Sequence, residues 1–259
     1  MERRVLVTGA SSGIGEATAL AFARSGATVG ICARRADRLA DVLERCRAHA
    51  PASRMWEIDL ADLDGLDAFA ARAVDELGGL DVLVNNAGVP KRRMVRTMTP
   101  ADAEAVMRIN YLSPVRLTLA VLPGMLDRGA GHVVNVSSMG AHMVAFGTGA
   151  YAASKAALEM FTEAMYLELV GSGVQAHLLV PGSTSTEFSI PREGNDPPLP
   201  SGGEPVAPEM VADAVLGCLD TDELVTYATE RDAATSAAKA ADPNAFVARM
   251  REALRALGR

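Results

Sequence analysis

Short apolar runs alternate with longer stretches of helical period along this chain. The runs at 4–8, 28–33, 54–58, 81–84, 132–137, 174–180 and 224–227 are largely apolar and bounded by turn formers. That is the pattern of strands covered on both faces. Between them, apolar positions recur at three- and four-residue steps over 16–24, 38–48, 66–77, 101–126 and 152–169, which predicts helices. Strands separated by helices imply right-handed crossovers and a parallel sheet. The expected fold is therefore α/β: a doubly wound, seven-stranded parallel sheet with helices on both faces. Seven strands and their crossovers consume the chain to about residue 228, so 1–259 is expected to be a single domain.

Two segments depart from this rhythm. Residues 187–208 hold six prolines and three glycines in 22 positions. A linker is the competing reading. A loop over a site is preferred, because the segment directly follows a strand's carboxyl end, where open α/β sheets bind ligands. It is expected to be mobile without ligand and to order as a lid over the site when substrate and cofactor are both bound. Residues 243–258 form a C-terminal helix whose Phe246, Val247, Met250, Leu254 and Leu257 share one face.

Composition narrows the function. Apolar residues make up 49% and charged residues 22%, the usage of a globular chain, and 25 basic against 32 acidic side chains give a net charge of −7. A mildly acidic chain with scattered Lys and Arg argues against a nucleic-acid binder. Cys32, Cys46 and Cys218 are too sparse for a disulfide framework. His49, His132, His142 and His177 lack metal-ligand spacing, so no metal is expected. No run approaches the roughly 20 apolar residues of a membrane span, and the start lacks a signal-peptide core. A cytoplasmic location and no membrane partner are expected.

The first strand runs into Thr8-Gly9-Ala10-Ser11-Ser12-Gly13-Ile14-Gly15 and then a helix. Glycines at 9, 13 and 15 permit a tight turn and close backbone approach, while free N–H groups at the helix start suit a pyrophosphate. A plain turn also explains a lone glycine cluster. Its place after the first strand favours a dinucleotide site of Rossmann type. Further motifs follow the carboxyl ends of later strands: Asp59-Leu60, Asn85-Asn86-Ala87-Gly88, Ser138, Tyr151-Ala152-Ala153-Ser154-Lys155 and Pro181-Gly182, with Asn110 in a long helix. With these in order and a TGxxxGxG turn, the chain resembles the short-chain dehydrogenase/reductase family in its single-domain form, from Val5 to about Thr186.

The end of the second strand reads the adenosine ribose. An acidic residue there would accept from a 2′-hydroxyl and repel a 2′-phosphate. This chain has Ala33-Arg34-Arg35 instead, and guanidinium groups grip phosphate bidentately, so NADP(H) is expected, chiefly through Arg34. Ordinary solvated arginines are the alternative. The family's second basic residue in the turn is replaced by Ser12. The resemblance implies that Gly9, Ser11, Ser12, Gly13, Ile14 and Gly15 hold the phosphates. It implies that Asp59 and Leu60 meet the adenine and that Asn86, Ala87 and Gly88 lie beside the adenosine ribose. Pro181, Gly182, Thr184 and Thr186 would meet the nicotinamide end, with Thr184 in place of the usual branched apolar residue.

Tyr151 and Lys155 are four apart in a helical stretch and share one face. An ammonium beside a phenol lowers its pKa, which would ready Tyr151 as an acid–base group. Ser138 lies 13 residues before Tyr151 and suits a substrate oxygen, with Ser137 as its rival. The resemblance implies that Asn110 completes a proton relay behind Lys155, and that Lys155 also holds the ribose. The expected activity is hydride transfer between nicotinamide and a ketone or secondary alcohol, with Tyr151 moving the proton. A non-catalytic NADP-sensing regulator of the same fold is the rival.

The substrate pocket is expected between residues 139–146, 89–98 and 187–208. Met94, Met139, Met143, Val144, Phe146 and Phe188 favour an apolar or bulky carbonyl compound. Arg92, Arg93 and Arg96 are read as a solvated face. The resemblance implies a homodimer or homotetramer through 101–126 and 152–169, where apolar residues lie on more than one side.

Overall fold

The computed structural model describes residues 3–143, 145–190, 193–196 and 204–256. Val144, Leu257 and parts of the proline-rich segment, 191–192 and 197–203, lie outside the described residues. In chain order the elements are β1 (Arg4–Thr8), α1 (Gly13–Arg24), β2 (Thr28–Ala33), α2 (Ala36–Arg47), β3 (Arg54–Glu57), α3 (Leu66–Leu77) and β4 (Val82–Asn85). Then follow α4 (Pro100–Met107), α5 (Ser113–Arg128), β5 (Gly131–Val136), α6 (Met139–His142), α7 (Gly149–Glu168) and β6 (Val174–Val180). The chain ends with α8 (Pro208–Cys218), β7 (Val225–Tyr227), α9 (Glu230–Ala241) and α10 (Pro243–Ala256).

Among the described residues the seven strands form one parallel sheet in the order β3-β2-β1-β4-β5-β6-β7. Side-chain alternation divides the core. Val5 and Val7 of β1 pack with α1, α2 and α8, whereas Leu6 between them packs with α3, α5 and α7. All three are 0% exposed. Removing the Leu6 side chain beyond Cβ would cost about 2–5 kcal/mol, because neither layer can collapse into the hole. Both layers close on the sheet, so the fold is the doubly wound one expected. The chain leaves β1 on one side for β2 and later returns on the other for β4, which opens a crevice at the strands' carboxyl ends.

Strand bounds shift by a residue or so at several ends, and α6, α8 and α9 were missed by the periodicity. One expected element is corrected. The helix read at 101–126 is α4 and α5 joined by a wider π turn at Arg108–Leu112. Pro114 has no N–H and its ring crowds the carbonyl four residues back, that of Asn110, so the α ladder cannot pass through. The Ser113 amide instead donates to the carbonyl of Arg108, five residues back. The helix starts well: the Thr99 hydroxyl accepts from the Asp102 amide at 3.2 Å, and the Asp102 carboxylate accepts from the Thr99 amide at 3.1 Å.

The proline-rich segment is tied at both ends. Thr184 pairs with Val206, Ser185 N–H donates to the Val206 carbonyl at 2.8 Å, and Val206 N–H to that of Ser183 at 2.9 Å. A 3-10 turn at Glu187–Ser189 opens it, with the Thr186 hydroxyl as cap. Of the arginines read as a solvated face, Arg96 is exposed, whereas Arg92 and Arg93 belong to a clasp. Met94 N–H donates to the Asp196 carboxylate at 2.9 Å, Asp196 N–H to the Arg92 carbonyl at 2.7 Å, and Arg93 faces Asp196 at 3.7 Å. Helix α10 buries none of its described residues. Among the described residues no helix is long and apolar enough to cross a membrane.

Candidate active site

The crevice is a cavity of about 600 Å³ whose lining gathers most of the sequence's candidates. Gly9, Ser11, Ser12, Gly13 and Ile14 form one wall, followed by Arg34, Arg35, Asp59, Leu60, Asn86, Ala87 and Gly88. At the far end stand Ser137, Ser138, Tyr151, Lys155, Pro181, Gly182, Thr184 and Thr186. Gly15 and Asn110 stand behind this lining.

The glycine turn is dictated by backbone crowding. Gly9 and Gly13 have φ of +68° and +61°, a region costly for residues with a Cβ. A Cβ on Gly9 would sit 2.8 Å from the Cα of Ala87, and one on Gly15 would sit 2.5 Å from the Gly9 carbonyl oxygen. Thr8 joins the turn to its neighbour: its hydroxyl accepts from the amides of Asn86 and Ala87, both at 3.0 Å. Asn86 in turn donates to the Thr8 carbonyl at 2.9 Å. Ser12 stands at the N-cap of α1 without using its side chain to cap it, so first-turn N–H groups remain for an anion. These residues fit a pyrophosphate-bearing coenzyme.

At the carboxyl end of β2 the structure gives Arg35, rather than Arg34, the contacts to the turn. Its guanidinium donates to Ser11 Oγ at 3.0 and 3.2 Å and to Ser12 Oγ at 2.7 Å. Arg34 lines the same cavity and is exposed. Asp59 stays turned to its own loop, accepting from the Ala61 amide at 3.0 Å.

At the other end, Ser138 caps α6, and its Oγ accepts from the Gly140 amide at 2.9 Å. Ser137 also lines the cavity, but its hydroxyl donates to Glu159 at 2.5 Å. The geometry thus prefers Ser138 of the two. Lys155 is buried, and its ammonium donates to the Val136 carbonyl at 2.7 Å. Burial pushes it down to about 8, with Glu159 opposing. The Tyr151 phenol is pushed up to about 12 by burial, with its Ser138 hydrogen bond opposing. The lowering expected of Lys155 counts on the positive nicotinamide alongside; in the chain alone burial sets the opposite direction. Desolvation of the phenolate outweighs the Ser138 hydrogen bond, and one of the three N–H groups of the Lys155 ammonium goes to the sheet, leaving two for other acceptors.

Asn110, fully buried in the π turn, accepts from Val89 N–H at 2.9 Å and donates to the Val89 carbonyl at 3.2 Å and to Ser154 Oγ at 3.1 Å. It fixes the loop after β4 to the Tyr151–Lys155 helix. A Cβ on Gly88 would meet its Oδ1 at 3.4 Å and Lys155 Nζ at 3.6 Å, so all three share one corner.

The pocket's apolar wall is corrected in part. Val89, Ile109, Phe188 and Ile190 line the cavity. Met139, by contrast, is buried with Leu178 and Val180, and Met143 packs on that cluster. Residues that sequence reasoning missed also converge here. A Cβ on Gly140 would sit 2.9 Å from the Tyr151 ring. Glu159 links Ser137 to His142 at 3.1 Å, and His142 reaches Ser236 at 2.6 Å. Buried Asp232 of α9 lies against Gly182. Of these, Glu159 alone had a sequence signal, its place four residues after Lys155 on the same helix.

Comparisons with known proteins agree with this geometry. A family model described as short chain dehydrogenase matches residues 3–196. An uncharacterized oxidoreductase of Mycobacterium tuberculosis is 40% identical over 176 residues, covering 66% of this chain and 52% of that protein. The chain thus spans about half the length of the curated relatives that it matches at this level. A short-chain dehydrogenase of Streptomyces avermitilis superposes with a TM-score of 0.83 at 29% identity, covering 98% of this chain and 97% of that one. A short-chain dehydrogenase of Sphingobium yanoikuyae, solved in complex with NADPH, gives 0.81 at 31% identity over 95% of each chain. The match across three quarters of the sequence, on a cleft built as above, shows that the chain belongs to the short chain dehydrogenase family.

Proposed function

We propose that this chain is an NADP(H)-dependent oxidoreductase that interconverts a ketone and a secondary alcohol. The observation that carries the reading is the meeting of Ser138, Tyr151 and Lys155 at one end of a cavity whose other end holds Arg35. NADP(H), when bound, supplies or takes up the hydride. Ser138 Oγ orients the substrate oxygen, and the Tyr151 hydroxyl gives that oxygen its proton on reduction and recovers it on oxidation. Lys155 holds its charge beside the ribose position, and Asn110 fixes the loop and helix that carry these groups. Val89, Ile109 and Phe188 exclude water, which favours an apolar or bulky carbonyl compound.

NADP(H) is favoured over NAD(H) by Arg35, tied to Ser11 and Ser12, and by the absence of an acidic residue at the end of β2. The NADPH in the Sphingobium yanoikuyae relative supports the same choice. We further infer a single catalytic domain that self-associates through α5 and α7, where Leu119, Met160 and Leu167 are exposed. Light scattering showing the mass of one chain at micromolar concentration would reject that. For the activity, the test is a panel of ketones and alcohols followed by NADPH absorbance. No turnover with any member, from protein that binds NADPH, would overturn the enzyme reading and favour a sensor.

A further inference from the structure

The arginines at the adenosine end already hold an anion. Glu187, in the 3-10 turn after β6, places one carboxylate oxygen 2.8 Å from Arg35 Nη1 and the other 2.5 Å from Arg38 Nη1. Arg35 is at the same time fixed to Ser11 and Ser12 of the glycine turn. A carboxylate set between two guanidinium groups beside the phosphate-binding turn offers them what a phosphate monoester would: two oxygens and a negative charge. The flanking arginines hold Glu187 well below the usual carboxylate range, at about 2, so it is ionised at any working pH.

The next residue in the chain is Phe188. Its ring centroid lies 5.7 Å from that of Tyr151. One short turn therefore spans the cavity, with its acid on the adenosine end and its aromatic ring against the proton-transfer end. Resting on the NADP(H) reading above, we propose that Glu187 is an internal stand-in for the coenzyme's 2′-phosphate, so that a phosphorylated ribose must displace it and thereby loosens Phe188 from Tyr151. Glu187 then sets coenzyme selectivity from a loop distant in sequence. NADP(H) pays a competition that NAD(H), with no phosphate for Arg35 and Arg38, does not meet. The same displacement opens the place beside Tyr151 only when the phosphorylated coenzyme is present.

The experiment titrates NADP+ and NAD+ calorimetrically into the wild-type chain and Glu187→Gln. The amide keeps the shape and removes the charge, and the site is partly exposed, so folding is spared; an unchanged NAD+ affinity confirms an intact cleft. Glu187→Gln is expected to bind NADP+ about tenfold more tightly, with NAD+ within about twofold. NADP+ affinity unchanged or weakened overturns the proposal. A second arm reads the coupling by chymotrypsin cleavage after Phe188. Adenosine 2′,5′-bisphosphate, which has no nicotinamide, is expected to speed that cleavage in the wild type, whereas adenosine 5′-diphosphate leaves it unchanged. Cleavage indifferent to both also overturns the proposal. The wild-type ratio of NADP+ to NAD+ affinity tests the coenzyme reading separately. Equal wild-type affinities with a gain in Glu187→Gln would reject native NADP preference and still support the stand-in.

Discussion

The two ends of the cleft are built by different means. At the adenosine end, backbone meets backbone. Gly9 and Gly15 pack onto Asn86 and Ala87, and the Thr8 hydroxyl accepts two amides of the neighbouring loop. At the substrate end, side chains meet side chains. Ser138, Tyr151 and Gly140 crowd together, Ser137, Glu159, His142 and Ser236 form a polar chain, and Phe188 covers the Tyr151 ring. The first end suits a ligand part common to every turnover. The second end holds geometry through groups that can change with the substrate.

Tyr151→Phe tests the substrate end most severely. It removes the proton donor while keeping the ring that packs on Phe188, so turnover is expected to fall by about 10²–10⁴-fold with coenzyme affinity retained. Steady-state rates alongside NADP+ titration check both halves. Unchanged turnover would remove Tyr151 from the proposed chemistry.

Lys155 gives the next effect, read as stability against pH. Its folded-state value of about 8 lies below the ordinary lysine value of 10.5, a drop worth about 3 kcal/mol. Between those two values the unfolded chain holds the extra proton, so stability rises with pH across that window. Below about 8 both states are charged and the whole cost stands. Lys155→Met should therefore melt higher than the wild type at pH 7, less the loss of the bond to Val136, and the gap should close towards pH 10. Melting curves at three pH values decide it; a gap independent of pH would show that burial of the charge is not its cause.

These two ends also differ in how far the sequence disclosed them. The glycine turn was legible because Gly9 and Gly13 take φ values that other residues resist, so chemistry and spacing coincide. Tyr151 and Lys155 were legible because four residues is one helical turn. The packing of Phe188 and α6 on Tyr151 was not, since both come from other segments. The sequence reading points to Arg34, whereas Arg35 is the one that meets Ser11 and Ser12, because which arginine turns to the glycine turn depends on the strand's exit. Glu187 and Asp232 reach the site from distant segments and carry no local pattern, whereas Glu159, four residues after Lys155 on the same helix, was open to the spacing argument and was missed. The π turn was hidden too, although Pro114 signals it in hindsight, because a proline near a helix start reads as ordinary.

At the adenosine end, Arg35→Ala should weaken NADP+ binding by about 10- to 150-fold, the worth of one charge-assisted contact of about 1.5–3 kcal/mol. NAD+ should bind as before. Arg34→Ala should lose less, since Arg34 makes none of the contacts to Ser11 and Ser12. Parallel titrations compare the two, and a larger loss for Arg34→Ala would reverse their assigned roles.

The last prediction sets one glycine at each end against the other. Gly13 has φ +61°, and a Cβ there would approach Thr186 Cγ2 to 2.9 Å, so Gly13→Ala strains the backbone where the phosphates are expected. Gly140 has an ordinary helical backbone, and alanine is the better helix former by up to about 1 kcal/mol. Its Cβ would nonetheless stand 2.9 Å from Tyr151 Cε1 and 3.2 Å from Ser138 Oγ. The ring must give way by a few tenths of an ångström while the fold stays intact. Gly140→Ala should leave melting temperature and NADP+ affinity near wild type and lower kcat by about tenfold, because small misplacement at the reacting centre is costly. Gly13→Ala should weaken coenzyme binding first. If Gly140→Ala instead lost coenzyme affinity and kept kcat, the division of labour between the two ends would be wrong, since a change confined to the Tyr151 ring would then be felt at the glycine turn.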